Sequence, residues 1–138
     1  MKKFLLVLPL LFTLGACATF QAEVAKLESV LSVVTTATVP ASTAQVAVSS
    51  FEVLEDAATK YFIYCHQNPA ASICAPGTVT DPGPLRIAIK YDRQGRDARD
   101  KIKAAGKSGA LISTTVYNLL VDAVAKLTST SVATFGAK

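Results

Sequence analysis

Apolar residues recur at steps of four and three along most of this chain. Ala47, Phe51, Leu54, Ala58, Tyr61 and Cys65 keep that rhythm. It places them on one face of an α-helix and excludes the two-residue alternation of a half-buried strand. Phe20, Val24, Leu27, Leu31 and Val34 show the same spacing earlier and predict a first helix over about residues 19–36. Ile112, Val116, Leu120, Ala123 and Leu127 show it later, with Leu119 and Val124 widening the face. Between them Ala88, Tyr91, Gly95, Ala98, Ile102 and Ala105 form an inward stripe of mostly small side chains. The expected fold is all-α, a small antiparallel bundle of three or four helices with one disulfide-stapled loop.

Punctuation residues give the expected boundaries. The β-branched stretch up to Val39-Pro40 ends the first helix, because the residue before a proline disfavours helix. Ser42-Thr43-Ala44-Gln45 reads as a capping box for the second. Asp81-Pro82 reads as the start of a third running to about residue 105. Ser113-Thr114-Thr115-Val116 leaves open an extended start to the fourth. With 138 residues the chain fits one domain. Its folded unit is expected over 17–127, and 128–138 is expected as a flexible tail. Alanine, valine, leucine, serine and threonine dominate and tryptophan is missing. Such a core lets helices approach closely but buries less area per residue.

The amino terminus is a separate matter. Met1-Lys2-Lys3 is a charged start, and Phe4 to Leu14 is an apolar run of eleven residues. A membrane-spanning helix needs about twenty, so the run has the length and flanks of a cleaved secretory signal, residues 1–16. It ends Leu14-Gly15-Ala16-Cys17, which resembles the bacterial lipobox. The resemblance covers about seventeen residues and implies a bacterial lipoprotein. In that family the thiol of Cys17 receives diacylglycerol, a peptidase cuts after Ala16, and the new amino group is usually acylated. Each buried methylene contributes about 0.8 kcal/mol, so two or three acyl chains anchor the protein durably to its membrane. Ala16-Cys17-Ala18 also fits an ordinary small-x-small cleavage site, which would release a soluble protein starting at Thr19. Residue 18 is alanine and not the aspartate that commonly retains such proteins in the inner membrane. The resemblance therefore implies the periplasmic face of the outer membrane.

Cys65 and Cys74 remain as an even pair in an oxidising compartment, so a disulfide closing a ten-residue ring is expected. Cys65, His66 and Cys74 lack a fourth metal ligand, and a redox pair normally has two intervening residues where this one has eight. No metal and no cofactor are expected. His66, the sole histidine, reads as an exposed loop residue.

The third helix is rich in cations. Arg86, Lys90, Arg93, Arg96, Arg99 and Lys103 form a candidate basic face for an acidic protein, a cell-wall polymer or lipid headgroups. The bland reading is a solvated face with Asp92, Asp97 and Asp100 as partial partners. Without Lys2 and Lys3, twelve basic residues face ten acidic ones. That balance, with an export signal, argues against nucleic acid. Gly106-Lys107-Ser108 resembles the end of a phosphate-binding loop, but Lys101 stands where that motif needs glycine. Glu52 and Asp56 share a helix face with Lys60 and read as a solvated charged row, not as a catalytic pair. No catalytic constellation emerges. The expected function is a non-enzymatic structural or interaction module at a membrane surface. Two alternatives stand beside it. One is a phage or prophage lipoprotein acting in superinfection exclusion or lysis, by loose resemblance. The other is a small-ligand-binding bundle with a cavity behind Phe51, Tyr61 and Tyr91.

Overall fold

The computed structural model describes residues 37–136. The expected signal, Cys17 and the helix expected over 19–36 lie outside the described residues. The described part is mostly helical. In order it comprises strand β1 (Thr38–Val39), helix α1 (Ala41–Gln67), helix α2 (Pro84–Ser108), strand β2 (Ile112–Ser113) and helix α3 (Thr114–Thr128). Two short 3₁₀ turns, Ser72–Cys74 and Ser131–Phe135, complete it. No helix among the described residues is long and apolar enough to cross a membrane.

α1 buries Ala47, Phe51, Leu54, Ala58, Tyr61 and Cys65, the face its spacing predicts. Its start differs from the expected capping box. Pro40 occupies the N-cap and no side chain caps the helix. The cause lies in the strands. β1 pairs antiparallel with β2, Thr38 opposite Ser113 and Val39 opposite Ile112. The chain therefore arrives extended at Pro40, whose carbonyl already accepts from the Ala44 amide at 3.1 Å. Ser42 is left one position inside the helix, too late to cap it.

The connection after α1 is stapled by the Cys65–Cys74 disulfide. The buried Tyr61 donates its hydroxyl to the Ile73 carbonyl, fixing the same turn to the helix. Gly77 sits in the left-handed region at φ +64°, and a Cβ there would strike the Gly83 backbone. These contacts, with Thr78 N donating to Asp81 O at 2.8 Å, occupy the Asp81-Pro82 stretch in a turn. α2 consequently begins at Pro84, later than expected, with proline in its first turn where no amide is missed. It ends at Gly109, left-handed at φ +67°, where the Ala110 amide reaches back to Ala105 O at 2.9 Å.

α3 buries Leu120, Ala123, Val124 and Leu127 of the expected face and adds Tyr117 and Val121, while Leu119 is exposed and Val116 only partly covered. The segment expected to be a loose tail is packed. Val132 is fully buried, and the Phe135 ring lies 5.5 Å from that of Tyr61 and 5.3 Å from that of Tyr64. Thr130 starts this last turn by donating to Leu127 O at 2.7 Å. Val132 and Phe135 stand three apart, which in a tight turn returns both side chains to one side.

Each of the three helices packs on the other two around one hydrophobic core. α1 and α2 meet closely at Gly95, where an added Cβ would collide with the edge of the Phe51 ring.

Candidate functional site

The charged site is built on α2, and helical geometry divides its cations into two rows. At 100° per residue, Arg96, Arg99 and Lys103 follow Asp92 down one flank. Arg86, Lys90 and Arg93 follow a second row, roughly a third of a turn away. The candidate basic face is thus two rows with different surroundings.

The first row borders α1. Glu52 of α1 receives Lys103, and Glu55 receives both Arg99 and, at 3.3 Å, Arg96. Positions rise along α1 as they fall along α2, so these two helices run in opposite directions. Arg96 Nε also donates to Asp92 Oδ2 at 3.0 Å, and Arg99 Nε to Asp100 Oδ1 at 3.0 Å. The Arg99 guanidinium lies 5.8 Å above the Phe51 ring. This ladder covers the Phe51–Gly95 contact from the solvent side. Gly95 permits the close approach, and short α1 carboxylates then reach the longer α2 cations. Arg99 and Glu55 are only 16% and 20% exposed, so their pairing escapes most solvent screening. Partial desolvation works against the Arg99 charge. The hydrogen bond to Asp100 and the fields of Glu55, Asp100 and Glu52 outweigh it and hold its pKa above the ordinary arginine value.

The second row faces outward. Arg86, Lys90 and Arg93 are exposed, and among the described residues none has a carboxylate within ion-pair distance. Arg86 donates to the Thr78 carbonyl at 3.1 Å, and Lys90 stands 5.0 Å from the centre of the Tyr91 ring. Further along, the outward side is neutralised by the pair Lys101–Asp97 at 2.7 Å. Unpaired positive charge therefore concentrates at the amino-terminal end of α2, beside the disulfide loop.

The remaining candidates are placed as follows. Cys65 and Cys74 form the disulfide. His66 is exposed at the end of α1. Asp56 pairs with Lys60 at 2.8 Å, while Glu52 turns away from that row toward Lys103. Phe51 and Tyr61 fill the core and Tyr91 packs at its edge. Among the described residues no group of three or more His, Cys, Asp or Glu side chains could hold a metal ion.

The burial of Asp92 and of Tyr117 was not expected from the sequence. Asp92 is buried at the seam, and Tyr117 is fully buried in α3. Tyr117 had a legible signal, since Tyr117, Leu120, Val124 and Leu127 keep a three-four-three spacing. Asp92 had none, because its burial depends on where α1 crosses. No protein-family model matches the chain, and no curated protein or solved structure shows significant similarity to it.

Proposed function

We propose that the chain is a lipid-anchored bacterial lipoprotein of the periplasmic face of the outer membrane. Its helices form a small antiparallel bundle that serves as a non-enzymatic interaction module. The observation that carries this reading is the apolar run Phe4 to Leu14 ending in Leu14-Gly15-Ala16-Cys17. A thiol at that point, behind small residues, is what lipid transfer and cleavage require. A disulfide between Cys65 and Cys74 is in keeping with export to an oxidising compartment. The interaction role draws support from the outward cations Arg86, Lys90 and Arg93, which the fold does not use in ion pairs.

The test is the intact mass of the protein from the membrane fraction, measured without reductant. The expected mass is that of residues 17–138 plus acyl chains, less two hydrogens for the bridge. Cys17→Ser should abolish the acyl mass. A soluble protein beginning at Thr19 would overturn the reading.

A further inference from the structure

We propose that the first turns of α2 and the adjoining Thr78–Asp81 turn form a docking face for anionic phospholipid headgroups of the membrane that tethers the chain. This inference rests on the lipoprotein reading above and names the partner of its basic face.

Three observations carry it. The first is the segregation of charge. Glu52, Glu55, Asp92, Asp97 and Asp100 each engage a cation on the later turns of α2. Among the described residues none gives Arg86, Lys90 or Arg93 a carboxylate, along about 10 Å of helix axis. Over residues 78–93 the three exposed cations stand against one exposed carboxylate, Asp81, because Asp92 is buried against Arg96. The second is local conflict. Arg86 lies in the first turn of α2, which has no acidic residue, although the helix dipole disfavours cations there. A sequence that keeps such a charge against local preference is one that uses it. The third is Val79, 86% exposed at the tip of the turn whose Thr78 carbonyl holds Arg86. An apolar side chain beside a guanidinium suits the boundary where phosphates meet the first methylenes of a lipid.

The chemistry favours a lipid surface over a shaped protein partner. Arginine grips phosphate oxygens in a bidentate fork, and a bilayer offers many phosphates without demanding register.

The absence of tryptophan supplies the experiment, because Val79→Trp places a single reporter at the proposed contact. The lipidated protein is reconstituted into vesicles of phosphatidylcholine alone or with about one third phosphatidylglycerol. The emission should shift to the blue, and brominated acyl chains should quench it, only in the anionic vesicles. Both signals should vanish in about 0.5 M salt, and in R86E/K90E/R93E on the same background. Three cations predict a preference for anionic lipid on the order of a hundredfold. Circular dichroism checks that the reversed variant retains its helices, and Arg93→Gln alone should reduce the shift if the triple variant does not fold. An unshifted emission overturns the inference, as does an equal shift in both kinds of vesicle. A shift produced only by an acidic protein or cell-wall polymer overturns it too. The mass of the same preparation reads the anchor separately. A lipidated chain with unshifted emission sinks the headgroup face and leaves the lipoprotein reading intact. An unlipidated chain whose emission still responds to added anionic vesicles does the reverse.

Discussion

The two cationic rows of α2 are made of the same residue types on the same helix, yet they meet opposite fates. Arg96, Arg99 and Lys103 are absorbed into a ladder with Glu52 and Glu55, while Arg86, Lys90 and Arg93 remain without carboxylates. The difference is angular. One row lies on the flank where α1 crosses at Gly95, and the other points away from it. Charge along a helix therefore says little about availability until the neighbouring helix is placed. The seam row is tied into the fold by ion pairs, and the outer row has no carboxylate partner among the described residues.

The comparison can be broken most severely at Gly95. In an exposed helix interior, exchange of glycine for alanine stabilises by about 1 kcal/mol. Here a Cβ would collide with the edge of the Phe51 ring, so the sign reverses. Gly95→Ala should lose about 1–2 kcal/mol in urea unfolding, and Gly95→Leu about 3 kcal/mol or more. A stabilised Gly95→Ala protein would show that the helices do not approach as described.

The disulfide loop supports the outer row through Thr78, which accepts from Arg86. Replacing both Cys65 and Cys74 with serine should cost about 2.5 kcal/mol for a ring of this size. Chemical denaturation with and without reductant measures it. Glu55→Ala should cost about 2 kcal/mol, because it removes the cross-helix carboxylate shared by Arg96 and Arg99 and leaves the largely covered Arg99 with Asp100 alone. Val132→Ala should cost a similar amount, about 2 kcal/mol, since its side chain is fully buried. An unaffected midpoint for that variant would restore the loose tail expected from the sequence.

The flank of α2 opposite the seam packs on α3, where Tyr117 is buried. Burial raises the hydroxyl pKa of Tyr117 and of Tyr61 above the ordinary value near 10. The folded state then keeps protons that the unfolded chain releases. Stability is complete below about pH 10 and falls as the pH climbs past it. Tyr117→Phe should shrink that alkaline loss while leaving the seam ladder in place, as unfolding curves at pH 8 and pH 11 would show. The smallest effect belongs to the outer row. Arg93→Ala should change stability by less than about 0.5 kcal/mol, because the side chain is exposed and unpaired. A larger loss would mean that both rows hold the fold together, and the contrast between them would disappear.

Much of this was legible one residue at a time. The α1 face follows from local spacing, and the α2 stripe Ala88, Gly95, Ala98 and Ile102 is buried as its small side chains suggest. The Cys65–Cys74 disulfide agrees with the pairing expected from the sequence. The misses share a cause. The start of α1 depends on a strand partner more than seventy residues away in sequence, at Ile112–Ser113. The order of residues 131–135 depends on Tyr61 and Tyr64, which offer Phe135 a surface. The split of the basic face depends on Glu52 and Glu55 reaching across from another helix.

The sequence by itself determined where this chain is helical, which faces are apolar, and which cysteines are available to pair, because those properties are periodic or local. The proposed export and anchoring signal would likewise be a linear pattern within the first seventeen residues. Only the tertiary structure decided which cations are paired across helices, that Asp92 is buried, and that the final turn is packed. Each of those outcomes is a contact between segments distant in the chain, and the strength of such a contact depends on separation, orientation and solvent exclusion. Spacing along one helix fixes none of the three.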